Sequence, residues 1–540
     1  MSFEVRYTDL AGRIGKLKTP HGNLETPAFI PVVHPIRQAI TPHFLKSMGF
    51  NAVITNAYIT LRHYGDEARK RGIHDIIKYD GVIMTDSGGY QVLEYGSIDV
   101  EPTVMALFEN DIRSDIPVPL DKPTGYGLKY EKAKDYVEQT LENARESLNA
   151  IQGRKSKEIK NNTGNGYNKD DTNGAVWVGP IQGAEHSDLV KYSADTLDKM
   201  GFNLMAIGSP VELMEAYEFS ILAHMIAIVK RTIPAKPIHL FGAGHPITIP
   251  LAVALGCDMF DSASYILYAK DNRYMHSNGT TRLEDLSYLP CQCPICTAYS
   301  IKELFYMDRD SRTIEVAKHN LYILKAEVDA VKQAIMDGRL WEYVMQKAHA
   351  HPKLMEAIEL LKTFEYLEEG TPIFKEKAVF FYDPIDQYRP EAKRFRNIVS
   401  KFASLKNKKK KLVLYPDSDI HPFYSTLVFL QLAKKFPDAQ ICTYNPFLGI
   451  IPSEISDIFP AAHNLSCKKS ANHINPKNYP SFIQSLDRFI INNNFEEIII
   501  VADTFMRQIV DDDHYYDNIL LIKKLNPKVF DYDHDIITKL

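Results

Sequence analysis

Three cysteines in one short segment form the clearest metal-binding pattern in the chain. They lie in Cys291–Cys296, which reads CQCPIC. Three thiolates this close together can converge on one tetrahedral ion, with a fourth ligand from another part of the chain. His319, on the helical run TIEVAKHNLYIL, is the best candidate, and His276 is a weaker one. Four protein ligands close a site, so the pattern predicts a structural Zn²⁺, with three free or buried thiols as the alternative.

A second group of polar residues follows the ends of strand-like runs. The pairs are VIMT before Asp86, IPVPL before Asp121, VWVGPI before Gln182, LMAI before Gly208, IHLF before Gly242 to His245, and DMF before Asp261. The carboxyl ends of parallel strands open on one face, so these groups are expected at one mouth. Singly, each has another interpretation, since Asp caps helices, Gly makes turns, and Gln182 could hold a loop.

Carboxylates, an amide and exposed backbone at one mouth suit a planar ligand with several N–H donors, such as a nucleobase. Two carboxylates there also suit chemistry at an anomeric carbon. One would attack or stabilise the oxocarbenium-like centre while the other handles the proton of the leaving group.

Alternation of short apolar runs with helical patterns up to about residue 370 predicts an α/β protein with a parallel sheet, doubly wound or a (β/α)8 barrel. The strand-like runs are Ala52–Thr55, Val82–Thr85, Ile116–Leu120, Val176–Ile181, Leu204–Ile207, Ile238–Phe241 and Met259–Phe260. The helical stretches are Tyr130–Ile151, Ser187–Met200, Val211–Ile233 and about Thr313–Thr363. The polar segment 153–174 is predicted to be a solvated surface insertion.

A second, smaller α/β unit is predicted for 371–540, after a catalytic part over 1–370 that includes a zinc region at about 285–325. Its elements are the strands Lys411–Tyr415, Gln440–Tyr444 and Glu497–Val501, and helices over Ser425–Phe436 and Phe482–Asn492.

Composition sets limits on the class of protein. The chain has 540 residues, is 45% hydrophobic and carries a formal net charge of −5, which excludes a disordered chain. Its longest apolar stretch, Phe219–Val229, is too short to span a bilayer, and the N-terminus lacks a secretory h-region. We therefore expect a cytoplasmic protein without a membrane segment. A nucleic-acid partner would need a local basic face, and Lys406–Lys411 is either a solvated linker or such a contact.

Several motifs in order resemble tRNA-guanine transglycosylases, with the archaeal branch the closer match. They are TDSGGYQV at 85–92, PIQGAEH at 180–186, GCDMFDSASYILYAKDNRYM at 256–275, and CQCPIC followed by HNL at 319–321. The resemblance covers about 1–370 and, more loosely, the rest. It implies a (β/α)8 barrel with an inserted structural zinc subdomain, and a homodimer through the zinc region. The implied reaction is exchange of a guanine in the D arm of tRNA, expected at position 15, for 7-cyano-7-deazaguanine in archaeosine biosynthesis, without ATP.

The resemblance also implies residue roles. Asp261 would be the nucleophile that forms a covalent intermediate at C1′ of the ribose, and Asp86 the proton-transfer group. The implied base-binding residues are Asp121, Gln182 and the Gly208 backbone for hydrogen bonds and Tyr90 and Phe241 for stacking, and the implied zinc ligands are Cys291, Cys293, Cys296 and His319.

Two departures from the bacterial and eukaryotic pattern fit the archaeal branch. SASYILYAK replaces a CVLPTR-like segment after the nucleophile, and Lys122-Pro123 follows Asp121. Archaeal members commonly end in an RNA-binding PUA domain, a small β-barrel that needs glycine turns. The last glycine is Gly449, so we expect this domain to be absent and to be supplied by a separate polypeptide. The rivals are a paralogous amidating archaeosine synthase, a non-catalytic tRNA-binding partner subunit, and a nucleoside hydrolase.

Overall fold

The computed structural model describes residues 3–89, 100–161, 174–406, 409–418, 420–467, 475–511 and 526–532. The chain forms two compact units, 1–360 and 361–540. Among the described residues, no helix is both long and apolar enough to cross a bilayer.

In the first unit, parallel strands alternate with helices, as the apolar runs predicted. The strands are β1 (Phe3–Asp9), β2 (Gly12–Thr19), β3 (Gly22–Thr26), β4 (Ala28–Pro31), β5 (Ala52–Asn56), β6 (Val82–Asp86), β7 (Ile116–Pro117), β8 (Val178–Ile181), β9 (Leu204–Ile207), β10 (Ile238–Leu240), β11 (Met259–Ser262), β12 (Arg273–His276) and β13 (Gly279–Arg282). Strands β4 to β11 are parallel, and the five further strands among the described residues are antiparallel. The α-helices are Pro42–Ser47, Ala57–Tyr64, Asp66–Arg71, Ile73–Ile77, Pro102–Asp111, Tyr130–Asn161, Ser187–Met200, Val211–Glu215, Phe219–Thr232, Thr248–Leu255, Ser264–Lys270, Pro294–Ala298, Ile301–Tyr306, Arg309–Met336, Leu340–Ala348 and Pro352–Ile358.

Two parallel sheets carry the strand ends that matter for function. One has the order β4-β11-β10-β9-β8 and the other β5-β6-β7. A parallel bridge between Val32 and Ile54 connects β4 to β5. Just before β7 and β8, the N–H of Val176 donates to the carbonyl of Asp115 at 2.8 Å. Apolar side chains from both sheets share one buried cluster, which includes Ile30, Ile54, Met84, Val178, Leu204 and Met259.

An antiparallel sheet of β1, β2 and β3 is anchored to the strand-start end of this structure by a buried ion pair. Arg13 of β2 donates to both carboxylate oxygens of Asp258, at 2.7 and 2.8 Å, and both side chains are almost fully buried. Asp258 also accepts from the N–H of Ile238 at 2.8 Å, and Arg13 donates to the carbonyls of Pro234, Ala235 and Lys236. These bonds satisfy the buried charges and tie β2 to the starts of β10 and β11.

The helix beginning at Tyr130 continues to Asn161, past its predicted end at Ile151 and into the segment predicted as a solvated surface insertion. The predicted end of the helix was wrong. Residues 153–161 (GRKSKEIKN) carry no apolar stripe, but Arg, Lys and Glu are good helix formers that can extend a helix into solvent. Residues 162–173 lie outside the described residues.

The second unit is a smaller α/β structure. Its main sheet has the order β17-β16-β15-β19-β20, in which β15 runs parallel to both neighbours. Its strands are β14 (Val379–Phe381), β15 (Lys411–Pro416), β16 (Ala439–Asn445), β17 (Gly449–Pro452), β18 (Asn464–Ser466), β19 (Glu497–Ala502) and β20 (Lys528–Asp531), and its α-helices are Leu367–Gly370, Pro390–Lys406, Leu427–Lys435, Pro480–Asn493 and Thr504–Asp511.

Part of the lysine run falls within this sheet. Lys410 pairs with Glu496 at 3.0 Å and Lys411 with Glu497 at 2.8 Å. Residues 407 and 408 lie outside the described residues. Within the described part, acidic neighbours therefore already offset two of the charges that could contact RNA phosphates.

We predict that Arg13→Ala lowers the free energy of unfolding by about 3–5 kcal/mol, because it leaves the carboxylate of Asp258 buried without its cation. Urea unfolding at neutral pH measures this value. Lys18→Ala, at an exposed position on the same strand, is the matched control and should change it by less than about 0.5 kcal/mol. Equal effects of the two substitutions would contradict the anchoring role.

Candidate functional site

Asp261 lies in β11 with its side chain largely buried. Its Oδ1 accepts two hydrogen bonds, from Nε2 of His239 at 2.8 Å and from the N–H of Gly242 at 3.0 Å. Its Oδ2 has no hydrogen-bond partner among the described residues. One oxygen is thus held by the protein, while the other is available to a ligand.

Asp86 ends β6 and receives a hydrogen bond at 3.2 Å from Nδ2 of Asn56, its register partner at the end of β5. The same asparagine caps the next helix, because its Oδ1 accepts from the N–H of Ile59 at 2.8 Å. Burial, followed by the negative charge of Asp121, raises the pKa of Asp86 to about 7, and the charge of Asp261 contributes to the rise. A carboxyl group with this pKa can both give and take a proton near neutral pH.

Asp121 and Gln182 form a hydrogen-bonded pair between neighbouring loops of the site. Nε2 of Gln182 donates to Oδ2 of Asp121 at 2.7 Å. Oε1 of Gln182 accepts from the N–H and hydroxyl of Thr124, at 3.1 and 3.0 Å, and from the hydroxyl of Ser209 at 3.0 Å. Burial raises the pKa of Asp121 to about 6, although the bond from Gln182 opposes the rise.

Two glycines allow this pair to approach the backbone. A Cβ at Gly208 would collide with the amide of Gln182, and one at Gly89 would collide with the carboxylate of Asp121. The N–H of Gly208 donates to the carbonyl of Ile181 at 2.9 Å, so this amide is already bonded within the fold. Because Gly208 has no side chain, the space beside the amide of Gln182 stays open.

The two predicted stacking residues have different outcomes. Phe241 directly follows β10 and is partly buried, with its ring centroid 4.9 Å from that of His239 in an edge-to-face arrangement. Tyr90 lies outside the described residues. The structure therefore locates one of the two aromatic rings beside His239, which itself donates to Asp261.

Four polar residues of the site were not identified from the sequence: His239, Asn56, Thr124 and Ser209. A histidine in the middle of the apolar strand IHLF was a usable signal, since a buried strand seldom carries an ionisable side chain without a partner. Thr124 and Ser209 carried no such signal, because serine and threonine are common in loops.

The four predicted metal ligands come together. The ligand atoms of Cys291, Cys293, Cys296 and His319 all lie within 4.8 Å of one another. Nδ1 of His319 is 3.3 Å from the sulfurs of both Cys293 and Cys296, while Nε2 is 2.8 Å from the carbonyl of Met275. Because that carbonyl can only accept, Nε2 carries the proton and the lone pair of Nδ1 faces the thiols. This donor set can hold a metal ion, and its three sulfurs and one nitrogen fit tetrahedral zinc.

Comparison with known proteins identifies the family. The model of the queuine tRNA-ribosyltransferase family matches residues 9–353. The chain belongs to this family. This confirms the resemblance found in the motifs and makes the protein a transferase of the tRNA-modifying class, while the second unit lies entirely outside the matched range.

Curated archaeal relatives extend the similarity into that second unit. The tRNA-guanine(15) transglycosylase of Saccharolobus solfataricus is 39% identical over 508 residues, covering 92% of this chain and 96% of the relative. The enzyme of the same name from Sulfolobus acidocaldarius is 40% identical, covering 85% of this chain and 87% of its own. That from Methanosarcina acetivorans is 41% identical over 85% of this chain and 86% of its own.

We predict that Asp86→Asn stabilises the fold at pH 8 by up to about 4 kcal/mol and has little effect near pH 4. The folded protein holds the Asp86 proton more tightly than the unfolded chain does. Its contribution to stability is therefore complete below about pH 4 and is lost as pH rises through about 7. Asparagine cannot ionise and avoids this loss. Denaturant unfolding at both pH values measures the difference, with exposed Asp66→Asn as the control. A gain of equal size at pH 4 would contradict the sign.

Proposed function

We propose that this protein exchanges a guanine of tRNA, at position 15 of the D arm, for 7-cyano-7-deazaguanine in archaeosine biosynthesis. The observation that carries the proposal is the pairing of Asp261, with one oxygen unbonded, with Asp86, whose pKa of about 7 suits proton transfer. The names of the archaeal relatives support the substrate and the position.

The exchange needs two displacements at one carbon. In the first, Oδ2 of Asp261 forms a bond to C1′ while the glycosidic C–N bond breaks. The electron pair of the broken C–N bond leaves with guanine, which takes the proton of Asp86. In the second, the incoming base returns a proton to Asp86 and its ring nitrogen attacks C1′, displacing the carboxylate. Over the cycle one glycosidic C–N bond is broken and one is formed, and Asp86 regains its proton, so the exchange needs no ATP.

The Asp121–Gln182 pair is the proposed edge that recognises the base. Guanine and 7-cyano-7-deazaguanine both present N–H donors on one edge, and the carboxylate of Asp121 accepts such donors. Phe241 and Tyr90 are proposed to stack on the two faces. In comparable systems stacking is worth about 1–3 kcal/mol per base, which offsets part of the cost of flipping the nucleotide out of the tRNA.

We also propose that the parallel strands close into a (β/α)8 barrel. The bridge from Val32 to Ile54, the bond from Val176 to Asp115 and the shared apolar cluster support this closure. The site residues then lie at the carboxyl ends of the strands, where barrel enzymes carry their active sites.

Zinc held by the three cysteines and His319 is proposed to be structural. Among the described residues, the local apolar cluster has three buried members, Cys293, Ile295 and Leu304, so the ion would add stability to a small core. A homodimer through this region, a separate PUA-domain polypeptide and a cytoplasmic location stay predictions.

The rival functions differ in what they require of Asp261. An amidating synthase acts on a base already in place, and a non-catalytic partner subunit performs no chemistry. Neither needs a nucleophile with one oxygen held and the other unbonded beside a second carboxyl group. A hydrolase would release guanine from tRNA without inserting another base.

We predict that unmodified tRNA incubated with the protein and radiolabelled guanine takes up label, and that Asp261→Asn abolishes the uptake because an amide cannot displace the base. Denaturing gels should show a covalent tRNA adduct with the wild type and none with the variant. Asp271→Asn, at an exposed position, should label as the wild type does. Labelling by Asp261→Asn would exclude the nucleophile assignment.

For the metal site, we predict about one Zn²⁺ per purified chain by elemental analysis. Cys296→Ser should lose most of it and unfold at a lower temperature, because one of four ligands is removed. Cys467→Ser, at an exposed cysteine, should keep both the zinc and the stability. Full zinc occupancy in the Cys296 variant would show that this cluster is not the site.

A further inference from the structure

His239 lies in the middle of β10, between Ile238 and Leu240, and its side chain is fully buried. In the sheet it lies opposite Ala206 of β9 and Met259 of β11. The only hydrogen bond of its side chain among the described residues runs from Nε2 to Oδ1 of Asp261, at 2.8 Å. An ionisable ring at such a position is costly unless it has a specific partner, and here that partner is Asp261.

The surroundings assign the protonation of this ring. Nδ1 of His239 is buried and meets no hydrogen-bond partner among the described residues. The carboxylate can only accept, so Nε2 carries the proton that it donates to Asp261. A proton on Nδ1 as well would leave a buried, charged donor unsatisfied. The Nε2 proton is therefore directed at the carboxylate, while Nδ1 has no acceptor for a second proton in the described part of the chain.

Two donors share one oxygen of the carboxylate. The N–H of Gly242 reaches the same Oδ1 at 3.0 Å, from the turn that follows β10. Either oxygen of a free carboxylate can attack, and rotation about the terminal side-chain bond exchanges them. With Oδ1 bonded to both His239 and Gly242, that exchange would break two hydrogen bonds.

We propose that His239 is a positioning residue for the nucleophile: together with Gly242 it holds Oδ1 of Asp261, so that Oδ2 alone attacks C1′. This inference rests on the proposed function and concerns the same site. His239 touches neither the base nor the ribose in this scheme and exchanges no proton during the reaction. Its contribution is to kcat, since it orients Asp261 without contributing to the binding of either substrate.

A matched pair of substitutions tests the proposal. The amide nitrogen of glutamine stands as many bonds from Cα as Nε2 of histidine, whereas that of asparagine stands in the place of Nδ1. Both substitutions place the same polar amide group in the core. We expect His239→Asn to lower kcat for guanine exchange by about 100-fold with KM for tRNA and guanine unchanged within about twofold, and His239→Gln to recover at least about 10-fold of that loss. Exposed His224→Asn, on helix Phe219–Thr232, is the control and should behave as the wild type does.

The outcomes separate the proposal from a structural role and from the proposed function. Equal loss in the Asn and Gln variants, in step with their thermal stability, or wild-type kcat in both, would overturn the positioning role. If Asp261→Asn is inactive while His239→Asn is fully active, the inference fails and the proposed function stands. If Asp261→Asn itself exchanges guanine, the proposed nucleophile fails first.

A measurement on the unaltered protein does not depend on how the variants fold. A crystal structure of the trapped tRNA adduct should show C1′ bonded to Oδ2 of Asp261, with Oδ1 still within about 3.2 Å of Nε2 of His239 and of the Gly242 nitrogen. An adduct through Oδ1, or a His239 ring turned away from the carboxylate, would overturn the proposal.

Discussion

The constraint on which the site depends is the burial of several carboxyl groups at one mouth. Burial raises the pKa of Asp86 to about 7 and that of Asp121 to about 6, and the negative charges of Asp121 and Asp261 add to the rise at Asp86. Each carboxyl group accepts hydrogen bonds from its own donors: Asp86 from Asn56, Asp121 from Gln182, and Asp261 from His239 and Gly242. None of these donors is a lysine or an arginine, and each gives its carboxyl group a fixed orientation.

The pairing of parallel strands places two of these donors beside their carboxyl groups. Asn56 and Asp86 are register partners at the ends of adjacent strands, so the hydrogen bond between them follows from the pairing of β5 with β6. His239 and Asp261 likewise come from adjacent strands. Gln182 is held differently, because three donors to its Oε1 set the orientation of its amide and thereby direct its N–H groups towards Asp121.

Much of this could be predicted from the sequence, and the limits have physical causes. Apolar runs located β5, β6, β8, β9, β10 and β11 because strands buried on both faces are apolar throughout. The polar strand β1, the hairpin of β12 and β13, and the helical continuation to Asn161 carry no such pattern and were missed. The carboxylates and zinc ligands could be named because their residue types are chemically distinctive. The hydroxyl donors that orient Gln182 could not, since Thr124 or Ser209 differs from any loop residue only through its neighbours in space.

The ion pair at the strand-start end bears directly on the nucleophile. Asp258 accepts from Arg13 and from the N–H of Ile238, so it fixes the start of β10 against the start of β11. His239 follows Ile238 directly, and Asp261 lies three residues beyond Asp258. A slip of one residue between these strands would turn the side chains of one to the opposite face and separate the imidazole from the carboxylate. The alignment of the reactive oxygen is therefore set at the far end of the strands. A substitution there that touches no substrate could shift the register of β10 against β11 and so misplace that oxygen.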